Sequence, residues 1–264
     1  MRIDVAVATK NNARTIDKCL KAIRANIPVR RLIVVDNGST DETVNIAKKN
    51  GAEVVYQPGF LGTVRYQQAL NCSTEWIAII DSDVYVRKSW WPTVTKYIDQ
   101  DDVGMVLAGI GETPGRPLVY SAYFCNTTRR HGGAVSFSNS LVRRDLMLSC
   151  RELLGTVPIE EDGIFASYLK KNRKRIVTIL SPLVFHDSPR WTFVPKAYFR
   201  WGRGIRISAG LRGLKGVARV LRDNLLNDAY FLIDTRRISP ALFFFLLYLW
   251  ASLVAGYVTY RAKS

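Results

Sequence analysis

Short apolar runs that stop abruptly at polar residues recur along the first eighty positions, and this alternation constrains the fold more than any other feature. Ile3–Ala8 (IDVAVA), Leu32–Asp36 (LIVVD), Glu53–Tyr56 and Trp76–Asp81 (WIAIID) read as strands. Between them Ala13–Ala25, with Ile16, Leu20 and Ile23 on one side, Asp41–Lys49, with its acidic start, and Leu61–Asn71 read as helices. Strand and helix alternating at this spacing predict an α/β protein with a parallel sheet covered on both faces. In such sheets ligands bind beyond the carboxyl ends of the strands. That edge collects three polar clusters: Thr9-Lys10-Asn11-Asn12, Asp36-Asn37-Gly38-Ser39-Thr40-Asp41 and Asp81-Ser82-Asp83. An acid that closes an apolar strand is costly to desolvate without a partner. Two of them at that point suit a hard divalent cation that also ligates phosphate oxygens.

The formal charge of +16 over 264 residues points to an anionic partner, namely nucleic acid, anionic lipid headgroups or a phosphorylated small molecule. Its distribution separates these. Residues 1–188 carry 25 basic and 19 acidic side chains, whereas 189–264 carry 13 and 3. Pro189–Arg222 has nine basic and no acidic residues, interleaved with Trp191, Phe193, Tyr198 and other large apolar side chains. Apolar residues at 207, 211, 214, 217 and 221 keep a helical spacing, with Arg212, Lys215, Arg219 and Arg222 on the other side. Residues 189–237 therefore read as basic amphipathic helices lying on an anionic membrane surface. Ile238–Tyr260 is an uncharged run of 23 residues between Arg236-Arg237 and Arg261. It is long enough to cross a hydrocarbon core, and its apolar residues go all round rather than along one stripe, so it reads as one C-terminal transmembrane helix. Nucleic acid is not expected as a partner, because no RNP or zinc-finger pattern occurs and the positive charge gathers beside the spanning segment. Cys19, Cys72, Cys125 and Cys150 show no CxxC spacing and the N-terminus has no signal-peptide pattern, so the bulk of the chain is expected to be cytosolic with reduced thiols.

The ordered series VAVATKNN, VVDNGSTDET, FLGTVRYQQAL, IAIIDSDV, IEEDGIFASYLKK and FRWGRG resembles the family 2 inverting glycosyltransferases, which have a GT-A nucleotide-sugar-binding fold. The resemblance covers roughly residues 1–204, and its last two signatures look most like the cellulose-synthase-like branch, with an E-D acid pair followed by Q-x-x-R-W. Ala197 stands at the position of that branch's Gln. The resemblance implies a GT-A domain at 1–188 in which Thr9, Asn11 and Asp36 hold the nucleoside and Arg65 approaches the nucleotide or its diphosphate. It places Asp81 near the ribose or diphosphate and Asp83 on Mg²⁺ or Mn²⁺. His186 would be a further metal ligand; on residues alone it reads equally well as a loop histidine. Asp162 would be the base that takes the acceptor's proton, with Glu161 beside it, although three acids at a helix start also fit simple interaction with the helix dipole. Arg200 would meet the diphosphate and Trp201 the acceptor sugar; an Arg-Trp pair in a basic aromatic stretch also fits interfacial anchoring.

One spanning segment cannot form the multi-helix channel of a polymer synthase, so the expected reaction is non-processive addition of one sugar. A base is needed for a sugar hydroxyl and not for an ionised lipid phosphate. The expected acceptor is thus a polyprenyl or dolichyl lipid that already carries sugar, and the size and architecture resemble archaeal mannosyltransferases of N-glycan assembly, with GDP-mannose as donor. Nucleotide-sugars are cytosolic, so a single-pass protein of the cell membrane with a cytosolic catalytic domain is expected, in accord with the positive-inside rule. The alternatives are a dolichyl- or polyprenyl-phosphate sugar synthase, a nucleotidyltransferase and, in another class, a basic nucleic-acid-binding protein.

Overall fold

The computed structural model of the chain describes residues 1–111, 136–151, 154, 161–187, 199, 202, 248, 250–255 and 257–258. β1 (Ile3–Thr9) is buried along its whole length. Its side chains divide between two cores by simple alternation: Val5 and Val7 enter one cluster, Ala6 and Ala8 the other. β2 (Val29–Asp36) and β4 (Trp76–Asp81) flank it in parallel, and β3 (Glu53–Tyr56) pairs with the outer side of β2. The first core is closed by α1 (Ile16–Asn26), through Ile16, Leu20 and Ile23, with α2 (Thr43–Lys49) contributing Ala47. The second is closed by α3 (Leu61–Asn71), through Val64 and Ala69. α1 begins three residues later than the periodicity places it, because the Asn12 carbonyl accepts the N–H groups of both Thr15 and Ile16 at 3.0 Å and holds a turn ahead of the helix.

The remaining described elements are β5 (Val84–Val86), α4 (Trp90–Val94) with a 3₁₀ turn at Thr95–Tyr97, β6 (Val103–Gly111), β7 (Asn139–Arg143), α5 (Arg144–Ser149), α6 (Glu161–Lys171) and β8 (Arg175–His186). Among the described residues the sheet has eight strands in the order β3-β2-β1-β4-β7-β6-β8-β5. The four strands read from the sequence, β1 to β4, pair in parallel as expected, and beyond them the sheet is mixed: β7 runs antiparallel to β4 and β6, and β5 antiparallel to β8. After the two-residue link Ser82-Asp83 the chain forms no hairpin with β4: β7 occupies the place beside β4, and β5 pairs with the last residues of β8, Val84–Val86 opposite Val184–His186. Phe165 and Leu169 of α6 and Met147 of α5 complete the second core.

Two compact units divide the chain, one comprising 1–156 with 161–187, the other 157–160 with 188–264. In the second, Tyr248, Trp250–Ala255 and Tyr257–Val258 are helical. Gly202 lies so close to the Leu253 carbonyl that any side chain at 202 would overlap it, which accounts for a glycine after Arg200-Trp201. No helix among the described residues is long and apolar enough to cross a membrane. Most of 238–260 and nearly all of 189–237 lie outside the described residues.

Candidate active site

β1 feeds α1 and then β2 and β3 on one side, whereas β4 lies on its other side, so the strand order reverses between β1 and β4. A cleft of about 200 Å³ opens at that switch point, lined by Ala8, Thr9, Lys10, Asn12, Asn37, Leu61, Val64, Arg65, Asp81, Ser82 and Asp83. Its rim is built by loops that hydrogen-bond to one another. Asn12 donates its side-chain amide to Ser82 Oγ at 2.6 Å and its backbone N–H to Thr43 Oγ1 at 2.8 Å. The Asn37 side-chain oxygen accepts the Gly59 N–H at 2.9 Å, tying the loops after β2 and β3 together. Asn11 adopts φ +52°, which asparagine tolerates, and its side chain accepts the Thr40 N–H at 2.8 Å.

Of the residues singled out in the sequence, Thr9, Arg65, Asp81 and Asp83 line this cleft. Thr9 Oγ1 is buried with no partner among the described residues, an atom that a ligand's polar group would satisfy. Asn11 and Asp36 are not among the residues that line the cleft. Asn11 pins one loop to another, and Asp36, 1% exposed, accepts the N–H groups of Gly38 and Ser39 and the Ser39 hydroxyl. Their polar atoms shape the turn, at which Gly38 takes φ +76°. Lys10, Asn12, Asn37 and Ser82 are the polar cleft residues to which the sequence assigns no separate role, although each sits within a strand-end cluster that the apolar pattern delimits. Arg200 and Trp201 lie outside the described residues.

Asp83 and His186 come together because β5 pairs antiparallel with the end of β8: Val84 is opposite His186, and the Asp187 N–H donates to the Asp83 carbonyl at 2.7 Å. Asp83 Oδ2 and His186 Nε2 stand 3.3 Å apart. Arg14 and Tyr85 both hold Asp187, at 3.2 Å and 2.9 Å, immediately after the histidine. Two donors on adjacent octahedral positions at about 2.1 Å from a small divalent cation lie about 3 Å apart, so an oxygen and an imidazole nitrogen at this distance fit one. Among the described residues no group of three or more His, Cys, Asp and Glu side chains could hold a metal alone. The pair therefore suits a cation whose remaining ligands come from phosphate and water.

Arg65 is the cleft's buried cation. Its Nη1 lies 2.8 Å from Asp81 Oδ1 and its Nε 3.4 Å from Glu161 Oε1. Burial alone would lower the Arg65 pKa, but Asp81 and then Glu161 hold it above its ordinary value. Burial pushes the Glu161 carboxyl up, with the Arg65 charge opposing. Gln68 accepts from Arg65 at 3.2 Å, and the guanidinium lies 5.5 Å over the Phe137 ring. The E-D pair is thus split: Glu161 is turned inward to Arg65, whereas Asp162 is partly exposed at the helix start, its Oδ1 accepting the Gly163 N–H at 2.7 Å.

A sheet with helices on both faces, a polar cleft at its switch point and carboxylates closing β4 define a Rossmann-like α/β protein of the nucleotide-binding type. The chain belongs to glycosyl transferase family 2, whose sequence profile matches residues 4–141. It is 38% identical over 89 residues to an uncharacterized glycosyltransferase of Rickettsia felis, a match covering 33% of this chain and 30% of that one. It is 30% identical over 151 residues to another from Rickettsia bellii, covering 53% and 49%. These matches span about three tenths to a half of the curated relatives' length. Among solved structures it resembles the mannosyltransferase PcManGT from Pyrobaculum calidifontis in complex with GDP-Man and Mn²⁺, at 16% identity and TM-score 0.61, over 97% of this chain and 86% of that one. It also resembles glucosyl-3-phosphoglycerate synthase from Mycobacterium tuberculosis in complex with Mn²⁺, UDP and phosphoglyceric acid, at 19% identity and TM-score 0.57, over 79% and 78%. At these identities the likeness is one of fold.

Proposed function

We propose that the chain is a metal-dependent inverting glycosyltransferase that moves one sugar from a nucleotide-sugar to an acceptor hydroxyl. The observation that carries this reading is the meeting of Asp83 and His186, 3.3 Å apart, beside a cleft that also holds Asp81 and a doubly paired Arg65. Mg²⁺ or Mn²⁺, when bound there, would offset the negative charge that builds on the departing nucleoside diphosphate. Thr9 offers its buried hydroxyl to the nucleoside, Asn12 and Asn37 keep the surrounding loops in shape, and Lys10 brings a second cation to the cleft. Asp162, at the open start of α6, takes the acceptor's proton as general base.

Mannose from GDP-mannose is the favoured donor, supported by the likeness in fold to PcManGT across nearly the whole chain. The phosphoglycerate-using neighbours support a second reading, a UDP-sugar donor with a phosphorylated small acceptor. The lipid-linked acceptor, the interface helices at 189–237, the span at 238–260 and the cytosolic orientation rest on charge and hydropathy. Titrating GDP-mannose, UDP-glucose and the free nucleotides with and without Mn²⁺, with melting temperature as readout, selects the donor, because a ligand that binds only the folded state raises its stability. Protease treatment of sealed vesicles checks the topology. Asp162→Asn is expected to cost roughly 10²–10⁴-fold in transfer with nucleotide affinity unchanged; full transfer by this variant removes the reading.

A further inference from the structure

We propose that Glu161 positions the donor cleft, acting through Arg65 on Asp81, and is not the group that removes the acceptor's proton. This deepens the glycosyltransferase reading and rests on it. Glu161 opens α6, and Asp81 closes β4; the two meet only through the side chain of Arg65, which rises from α3. The guanidinium is a rigid planar fork, so the nitrogen facing Glu161 and the nitrogen facing Asp81 cannot move independently. Two further described neighbours confine its plane. Gln68 accepts from Nη1 at 3.2 Å while donating to the Ala6 carbonyl of β1 at 2.8 Å, and Phe137, itself packed on Phe165 at 5.2 Å, lies beneath it. One carboxylate of the triangle reaches the cleft: Asp81 has 28% of its side chain exposed, Glu161 6% and Arg65 4%. Whatever fixes the guanidinium therefore fixes the direction of Asp81.

The same geometry disqualifies Glu161 as a base. A base must touch the acceptor, and Glu161 is turned into the core against a cation. Successive residues on a helix point about 100° apart, so Asp162 cannot share that direction. The E-D pair thus contains two unlike roles, one inward and one outward.

Calorimetric titration of UDP and of GDP with Mn²⁺, together with donor KM and kcat, separates positioning from proton transfer. Glu161→Gln keeps an acceptor for the Arg65 Nε–H and is expected to leave nucleotide Kd and kcat within about threefold. Glu161→Ala frees the fork and is expected to weaken nucleotide binding about tenfold or more, with kcat at saturating donor within about threefold. If the alanine variant does not fold, Glu161→Asp, one methylene short, gives an intermediate rise in Kd. A purely structural role would lower the melting temperature without moving Kd. Unchanged Kd in Glu161→Ala overturns the proposal, as does a roughly hundredfold or greater fall in kcat at unchanged Kd in Glu161→Gln, which would mark a base. A native protein that binds neither nucleotide overturns the glycosyltransferase reading itself, and this inference with it. Failure of the inference alone leaves nucleotide binding intact.

Discussion

Replacing Arg65 by methionine removes the charge and leaves a chain of similar reach in the same slot. Glu161 then loses its cation while remaining 6% exposed, whereas Asp81, at 28%, can turn to water. Breaking a buried ion pair from one side costs about 3–5 kcal/mol when the other charge stays buried. Relief of the guanidinium's own desolvation and the contact of a methionine sulfur with Phe137 offset part of this, which places the cost near 3 kcal/mol at pH 8, where Glu161 must be ionised or take up a proton. The pH dependence is the sharper signature. In the native protein burial already holds the Glu161 carboxyl above its ordinary range with Arg65 opposing; without Arg65 the larger part of that opposition is gone and the shift grows. The folded state then keeps a proton that the unfolded chain releases above about pH 4.3, so stability is complete below that value and is lost as pH rises through the folded pKa, at up to about 1.4 kcal/mol per pH unit. Near pH 5 the cost shrinks to about 1 kcal/mol, that of a neutral buried carboxyl with one partner missing. Urea denaturation of both proteins at pH 5 and pH 8 measures it. Equal costs at the two pH values, or a cost below about 1 kcal/mol at pH 8, would refute the triangle as a buried electrostatic unit.

Metal dependence should be visible without any turnover: nucleotide at about a hundred times its Kd stabilises the native protein by about 2.7 kcal/mol, and Asp83→Asn, His186→Ala or EDTA should abolish most of the Mn²⁺-supported part. Gly104→Ala should destabilise by about 1–3 kcal/mol, since its Cβ would come within 2.7 Å of Leu169 Cδ2 and 3.1 Å of both Leu146 Cδ1 and Lys174 Cβ; denaturation at constant pH checks this, and an unchanged midpoint counts against the packing of β6 on α6. Arg14→Ala removes a pair whose arginine is 59% exposed, and its stability cost should stay within about 1 kcal/mol. Cys19, Cys72 and Cys150 are all buried, burial pushing the Cys72 thiol up to about 12 and the Cys150 thiol up to about 11; peptide mapping after brief alkylation at pH 8 should find these three unlabelled in the native protein and labelled in urea.

Much of the fold was legible because its physical causes are local. Buried strands must be apolar, helices that cover them must be apolar on one side, and these two periodicities placed β1 to β4 and α1 to α3 to within a few residues. The misplaced start of α1 shows the limit. Ala13 continues the helical spacing, but the Asn12 carbonyl and the Asp41 carboxylate engage the backbone there at 3.0–3.1 Å, and no periodicity records such bonds. Strand direction was illegible beyond β4 for a similar reason. A run such as Val84–Val86 has the same composition whether it pairs as a hairpin with β4 or, as found, antiparallel to β8 at the sheet's far edge.

For the site, the polar residues that end the strands could be read as a set, but their separate tasks could not. Asp36, Asp81 and Asp83 are alike in sequence, each an acid at or just past the end of an apolar strand. In the fold the first folds back on its own turn, the second pairs with Arg65 and the third faces His186. What distinguishes them is the neighbour supplied by the sheet order. β1 stands between β2 and β4 and leaves Asp36 with its own loop; α3 packs over β1 and β2 and reaches Asp81 with Arg65; the end of β8 carries His186 to Asp83 by pairing with β5. The candidate metal pair is therefore a product of strand pairing: Asp83 follows β4 directly, and the last residues of β8 reach it by pairing with β5, the strand that begins one residue later.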